Sequence, residues 1–439
     1  MADGPSSPGW PAPYAGQPLE ADLSIPGSKS LTNRYLILAS IADEPSRIRL
    51  PLHSRDTELM AAALRRLGVE INETDEAGPF GADWLVKPPA RIGAADAHID
   101  CGLAGTVMRF IPPLAALSPS TISFDGDDAA RRRPMSTTID SLRALGVRVE
   151  DGGRGALPFT TSGSPTIRGG CVTMDAGASS QFVSGLLLAG CRYELGVDIR
   201  HVGDAVPSGP HIEMTTEALR DAGLVVDDSE PNRWAVEPGV PRGLDVAVEP
   251  DLSNAAPFVA AALVAGGTVL IRDWPTWTTQ AGDRMRSILE MFGADLTLDR
   301  AGLTVTGSGE FPGIDIDLHD VGELTPVVAA IAALASSPSR LTGIAHLRGH
   351  ETDRLTALTT ELTKLGGRVT ETDAGLDITP SALHGGVFET YHDHRMAMAA
   401  AVLGLRVPGL QIADVATTAK TLPEFPELWS TLAQPALAR

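Results

Sequence analysis

Cations and hydroxyls gather in a few short stretches of this 439-residue chain, and their spacing suits the capture of anions. In Ile25-Pro26-Gly27-Ser28-Lys29-Ser30-Leu31-Thr32-Asn33-Arg34, Gly27 and Ser28 predict a turn and an N-cap. Lys29, Ser30 and Arg34 then fall in the first turns of a helix. Unpaired backbone N–H groups and the positive end of the helix dipole collect there, the arrangement that holds anions. A solvated helix start with two incidental cations explains this stretch equally well on its own. Recurrence of the design decides between the two.

Five further apolar helical segments have comparable lead-ins: Ala104-Gly105-Thr106, Ser179-Ser180-Gln181, Asp251-Leu252-Ser253-Asn254, Glu323-Leu324-Thr325 and Asp393-His394-Arg395. Ordinary capping suffices for Asp251, Ser253 and Asn254. Elsewhere capping explains one polar residue but not the added Lys, Gln and Arg. The remaining cationic candidates are Arg133, Arg354 and Lys420, and a guanidinium fork matches carboxylate or phosphate. Arg133 precedes a proline, so its backbone is expected to be extended. His350-Glu351-Thr352-Asp353-Arg354 reads as a helix start, with Thr352 and Asp353 as possible caps. Glu351 and Arg354 would then share a face, where a surface ion pair is the plain alternative. His346, His350, Glu351, His392, Asp393 and His394 are the residues a metal could use. None has zincin or Cys/His spacing, and Gly349 weakens the His346/His350 pair. No phosphate-loop, dinucleotide or nucleophile-elbow motif occurs.

The elements that must position these residues show a period. Amphipathic helices closed by a glycine and followed by a β-branched strand recur, with the glycines at 68, 146, 223, 293 and 366. The intervals of 78, 77, 70 and 73 residues predict a repeated βαβαββ-like unit. A second helix type, apolar on all sides and rich in alanine, alternates with the first: 31–42, 106–117, 181–189, 254–265, 326–335 and 396–405. Such helices must be buried all round. The expected fold is α/β, with six units grouped three plus three in two domains, apolar helices inside and sheets outside. Residues 1 to about 17, rich in Pro, Gly and Ser, are expected to be disordered.

Composition sets outer bounds. Lys and Arg number 35 against 55 Asp and Glu, a formal charge of −20. That balance argues against nucleic acid or an anionic membrane surface as partner, so anionic ligands need locally clustered cations. Cys101, Cys171 and Cys191 are too few for a disulfide framework, and the N-terminus lacks signal-peptide character, so a reduced cytoplasm is expected. The longest apolar run, 255–271, is broken by Pro257 and Gly266-Gly267 and reads as a buried helix followed by a strand, not a membrane span.

With these motifs in hand, the chain resembles the enolpyruvyl transferases, and within them the EPSP synthase branch, over roughly residues 18–430. The motifs are PGSKSLTNR at 26–34, LAGTVMR at 103–109, RRP at 132–134, SSQF at 179–182, HETDRL at 350–355, DHRMAM at 393–398 and AKTLPE at 419–424. The resemblance implies an inside-out α/β barrel in each domain, with 1–26 plus 251–439 as the C-terminal domain and 27–250 as the N-terminal one. It implies shikimate 3-phosphate and phosphoenolpyruvate as substrates, no metal or organic cofactor, a site in an interdomain cleft closed by domain motion, and a place in chorismate biosynthesis. Lys29 would touch both substrates. Ser30, Arg34, Ser179, Ser180, Gln181, Ser208, Glu323 and His350 would lie against shikimate 3-phosphate. Gly105, Arg133, Gln181, Arg354, Arg395 and Lys420 would surround phosphoenolpyruvate. Glu323 would accept the 5-hydroxyl proton and Glu351 would take part in proton transfer to C3. Glycine at 105 implies sensitivity to glyphosate.

This chain departs from the better-known family pattern at several positions. Glu323 stands for Asp, His350 for Lys, His346 for Asn, His211 for Tyr and Leu103 for Asn. Neutral histidine at position 350 would weaken a phosphate contact there. Two rival readings fit less well. The sister enzyme acting on UDP-N-acetylglucosamine typically has a loop cysteine, absent from 131–135, and a Lys-Asn pair where this chain has Lys29-Ser30. A noncatalytic anion scaffold would not keep Glu323 and Glu351, because carboxylates weaken anion binding. A monomer is expected.

Overall fold

A computed structural model of the protein describes residues 9–93 and 97–433. The chain folds as two compact units. One is Pro26–Glu249; the other joins the described residues up to Ile25 to those from Pro250 onward. The discontinuity has a simple cause in strand exchange. Strand Leu19–Leu23 pairs in parallel with Gly267–Arg272 of its own unit, while Asp245–Ala247 pairs in parallel with Ser46–Arg49. Each unit therefore takes one edge strand from a distant part of the sequence.

One sheet pattern repeats. A parallel pair is followed by two antiparallel strands, as in 98–100, 121–125, 159–162 and 148–150, read across the sheet. The same order recurs in the sheets built on 170–174, on 245–247, on 19–23 and on 315–317. The sixth sheet keeps the parallel pair 386–388 and 410–412 but has only one antiparallel strand, Trp10–Pro11, which pairs with 411–412. The N-terminal stretch expected to be disordered is thus partly ordered: residues 10 and 11 finish this sheet, and residues 1–8 lie outside the described residues.

Two helix types fill the units as their sequences require. The apolar helices are Lys29–Ser40, Gly105–Ala115 and Gln181–Gly190 in one unit, and Leu252–Ala265, Thr325–Leu334 and His394–Gly404 in the other. Within each unit the three pack on one another. Leu36, Ile37, Phe110, Leu187, Phe258, Val328 and Met398 are fully buried there, each such side chain contributing about 1.5–3 kcal/mol. The strands alternate buried and exposed positions, as Gly81–Lys87 does, so the sheets cover the helices and face water on their other side. Among the described residues no helix is long and apolar enough to cross a membrane. The five repeat glycines all adopt positive φ, from +84° to +93°, as residues just past a helix end do.

Small residues set how closely the apolar helices approach. A Cβ added at Gly185 would lie 2.2 Å from the Arg109 carbonyl oxygen, whereas one at Gly146 would meet nothing within 4 Å. Gly185→Ala should therefore lower the melting temperature clearly more than Gly146→Ala, whose cost is the backbone strain of about 1–2 kcal/mol. Equal shifts in a thermal scan would contradict the packing described here.

Candidate active site

In the Pro26–Glu249 unit the site begins with the Ser28 cap, whose hydroxyl accepts from the Leu31 N–H at 3.4 Å. Lys29 is the first helical residue, and its Nζ lies 3.2 Å from Asp56 Oδ2. Asp56, at the start of the Arg55–Arg66 helix, is buried and its second oxygen has no hydrogen-bond partner. Sequence reasoning missed this residue, whose only signal was an acidic side chain in the first turn of an amphipathic helix.

Gly105 and Gln181, from two different lead-ins, converge with Arg133 from the turn before Ser136–Ala144. An ideal Cβ on Gly105 would lie 2.8 Å from Gln181 Oε1 and 3.2 Å from one terminal nitrogen each of Arg109 and Arg133. Gln181 Oε1 is buried without a hydrogen-bond partner, so it is poised to accept from a ligand. Arg109 was not singled out beforehand. It is buried, donates to the Pro134 carbonyl at 3.2 Å and lies 5.6 Å from the Phe182 ring. Burial, then the neighbouring Arg133 charge, hold its pKa well below the usual guanidinium range. Two guanidinium groups beside an unfilled amide oxygen are a strong local demand for an anion. Ser179, Ser180 and Gln181 run into the helix Gln181–Gly190. Ser208 has φ +56°, a strained conformation for a residue other than glycine.

Arg34 sits differently from the rest. Its guanidinium is buried and donates to the Thr215 hydroxyl at 2.8 Å, the Ser30 carbonyl at 2.9 Å, the His211 carbonyl at 2.7 Å and the Ser184 hydroxyl at 3.4 Å. Phe110 lies under it at 5.3 Å. Burial lowers its pKa to about 9, which leaves it charged at neutral pH. In this arrangement Arg34 ties three helices together and braces Ser30 from behind.

In the other unit a denser charge cluster forms. Helix Arg354–Lys364 is capped by Asp353, which accepts from the Thr356 N–H at 3.1 Å, so Glu351 precedes the helix instead of sharing its face with Arg354. The expected surface ion pair is replaced by two buried partnerships. Arg354 grips Asp393 through two bonds of 2.7 and 3.1 Å, and both side chains are buried. Glu351 pairs with Lys420 through one oxygen and accepts from His394 Nδ1 at 3.1 Å through the other. Asp393 also caps its helix by accepting from the Arg395 N–H at 2.9 Å. Arg395 donates to the Ser253 carbonyl at 2.5 Å, and the Ser253 hydroxyl donates to Glu323 Oε1 at 3.4 Å. Asp251 caps its helix, as expected, whereas the Ser253 hydroxyl bonds Glu323 instead of capping.

Electrostatics follow from this pairing. Burial opposes ionisation of Glu351, yet Lys420, His394 and Arg354 outweigh it and hold the carboxyl well below its usual range. Burial lowers His394 to about 4 against the pull of Glu351, so a neutral ring donates its Nδ1 hydrogen. Burial also works against the charge of Arg354, but Asp393 and Glu351 more than compensate. Glu351, Asp393 and His394 are close enough to hold a metal ion. Lys420 and Arg354 already neutralise the two carboxylates, which disfavours adding a cation there. His350 joins an imidazole row, 5.7 Å from His346 between ring centres, and His346 lies 5.8 Å from His319.

The apolar helices thus carry hydrogen-bonding and cationic groups on their N-termini in both units, with carboxylates reserved to one. This is the makeup of an enzyme that handles multiply charged anionic substrates. The sequence profile of the EPSP synthase (3-phosphoshikimate 1-carboxyvinyltransferase) family matches residues 13–429, and the chain belongs to that family. It is 60% identical over 427 residues to the 3-phosphoshikimate 1-carboxyvinyltransferase of Kocuria rhizophila, covering 96% of each chain. The EPSP synthase structure from Acinetobacter baumannii superposes with a TM-score of 0.79 at 26% identity, covering 96% of this chain and 97% of that one. The enolpyruvyl transferase NikO from Streptomyces tendae shares the fold, with a TM-score of 0.73 at 16% identity and 96% of each chain covered.

Burial, then the charge of His319, lower His346 to about 4 against the usual 6.5, although Glu323 opposes the shift. The folded state therefore disfavours its protonated form. That stability is complete above pH 6.5 and is lost as the pH falls toward 4. His346→Asn should reduce the drop in unfolding free energy between pH 7 and pH 5 by about 2 kcal/mol, leaving the share due to His394. Denaturant unfolding at the two pH values measures it; an unchanged drop would refute the assignment.

Proposed function

We propose that the chain transfers the enolpyruvyl group of phosphoenolpyruvate to the 5-hydroxyl of shikimate 3-phosphate and releases phosphate, as a cytoplasmic monomer of the shikimate pathway. The match to the family across nearly the whole chain, with 60% identity to a relative named for this activity, carries the reading.

The residue roles follow from charge and reach. Lys29, fixed by Asp56, presents an ammonium to both substrates. Ser30, Ser179, Ser180, Gln181 and Ser208, with Arg34 bracing Ser30, hold shikimate 3-phosphate, and His350 of the other unit takes the family's phosphate-contact role. Arg133 with Gln181 and Gly105, and Arg354, Arg395 and Lys420 from the other unit, take phosphoenolpyruvate. Glu323, held by the Ser253 hydroxyl, accepts the proton of the 5-hydroxyl as its oxygen adds to C2. C3 gains a proton in the same step. The tetrahedral adduct then gives one C3 proton back through Glu351 while the C2–O bond to phosphate breaks, so phosphate leaves and the C2–C3 double bond of the enol ether forms. Glu351 is ionised in the free enzyme, so a proton delivered through it comes from its neighbours Lys420 or His394, whose hydrogens point at it. Two acid–base carboxylates within a field of cations serve this sequence without a cofactor.

Phosphate release on mixing the protein with both substrates tests the reading directly. Release with UDP-N-acetylglucosamine in place of shikimate 3-phosphate, and none with the latter, would overturn it. Lys29→Ala and Arg395→Ala should each cut turnover by at least 100-fold while circular dichroism stays native. Near-wild-type rates in either variant would remove the anion-site argument. A methyl at Gly105 would crowd Gln181, Arg109 and Arg133. Gly105→Ala should raise both the KM for phosphoenolpyruvate and the glyphosate concentration needed for half inhibition. Steady-state kinetics with no change in either would show that the methyl does not reach the anion.

A further inference from the structure

Away from the cationic site, one cluster of ligating side chains has no role in the proposed chemistry. His53 lies just before the Arg55–Arg66 helix, Glu58 is on that helix, and Glu73 is on the strand Glu70–Gly78. A ligand atom from each lies within 4.8 Å of the other two. We propose that His53, Glu58 and Glu73 form a site for a divalent transition metal, with zinc as the best chemical match, which clamps this helix to the strand.

The imidazole orientation carries the proposal. His53 Nε2 lies 2.8 Å from the Ala82 carbonyl oxygen, and a carbonyl can only accept, so Nε2 bears a hydrogen. In the neutral ring Nδ1 then holds a lone pair, and Nδ1 is the atom that faces both carboxylates. A backbone carbonyl fixing the far nitrogen is the usual outer support of a metal-bound histidine. The ring is locked in that pose. Trp84 meets its edge at 4.9 Å between centres, and Gly81, at φ +118°, leaves a space where a Cβ would come within 2.4 Å of His53 Cδ2.

Burial opposes a charge on His53, but the bond to Glu58, the Ala82 carbonyl and Glu73 raise its pKa, so a proton on Nδ1 fills the place that an ion would take. Nδ1 is 3.5 Å from Glu58 Oε1 and 3.9 Å from Glu73 Oε1. A charge-assisted hydrogen bond would be about 2.7–2.9 Å. Ligands at about 2.0–2.2 Å from a tetrahedral zinc stand about 3.4 Å apart, close to the shorter separation. Among the described residues neither carboxylate has another cationic partner, and both are open to solvent, at 49% and 60% exposure. One imidazole and two carboxylates select zinc or cobalt over calcium or magnesium, which prefer oxygen alone, and leave a position for water. The clamped helix carries Asp56, the buried partner of Lys29, so the ion would steady the turn that orients that lysine.

Calorimetry on the full-length protein, freed of metal with EDTA and titrated with zinc chloride, tests this. The wild type should bind one equivalent and melt at a higher temperature when loaded, and cobalt should give visible absorption bands of a tetrahedral site. Glu73→Gln, at an exposed position that does not threaten folding, should weaken binding at least ten-fold, and His53→Ala should abolish it. His346→Asn should bind as the wild type does. No binding by the wild type, undiminished binding by Glu73→Gln, or loss of binding in His346→Asn with retention in His53→Ala would each overturn the proposal.

Discussion

Positive charge buried away from water is the constraint on which this structure depends. Taking a guanidinium or ammonium out of water costs several kcal/mol unless the surroundings replace its hydration. The chain meets that cost differently at each cation. Arg354 has a buried carboxylate, Asp393, gripped through two bonds, and Lys420 has Glu351. Arg34 has carbonyls, hydroxyls and an aromatic face but no acid, and its pKa falls accordingly. Arg109 is the least compensated, with a buried Nε that finds no hydrogen-bond partner and a like-charged neighbour. Those incompletely answered charges are where an incoming anion gains most. A protein with net charge −20 can therefore still bind anionic substrates, because the field is set locally.

The repeat delivers these charges to their places. A βαβ crossover needs an apolar helix between two parallel strands, and each such helix begins at the same end of its own sheet. Three copies per unit bring three helix starts to one end, and with them whatever residues occupy the lead-ins. The lead-in residues can then vary between copies while the packing stays constant. Lys29 with Ser30, Gly105 and Gln181 occupy the three lead-ins of one unit; Ser253, Glu323 and Arg395 occupy those of the other. The strand exchange at residues 19–23 and 245–247 preserves this plan although the sequence order is interrupted.

Three of the departures from the family pattern, Glu323, His346 and His350, fall in one unit, while Leu103 and His211 belong to the other. His346 and His350 lie in a row with His319, and Glu323 acts on the same row through its charge. Burial keeps the His346 imidazole neutral at pH 7, so the ring of this row that feels Glu323 adds no charge there. The longer side chain of Glu323 is held by the Ser253 hydroxyl, whose own carbonyl receives Arg395. A carboxylate, a hydroxyl and a guanidinium are thus linked through one residue that looked like a cap.

The sequence by itself determined the repeat, the two helix types and the residues that lead into them, because each is a local property. A glycine past a helix end, an all-apolar stretch and an N-capping side chain act within a few residues. The family motifs extended that reading to substrates and roles. The partners of the buried charges were decided only by tertiary structure. Asp56 beside Lys29, Asp393 beside Arg354, and Lys420 with His394 around Glu351 join positions 27, 39, 69 and 43 residues apart. No local pattern encodes such pairings; they follow from which helix starts the fold brings together. The same holds for Trp10 and Pro11, set in a stretch rich in Pro, Gly and Ser, which gain a strand conformation from an open edge about 400 residues away.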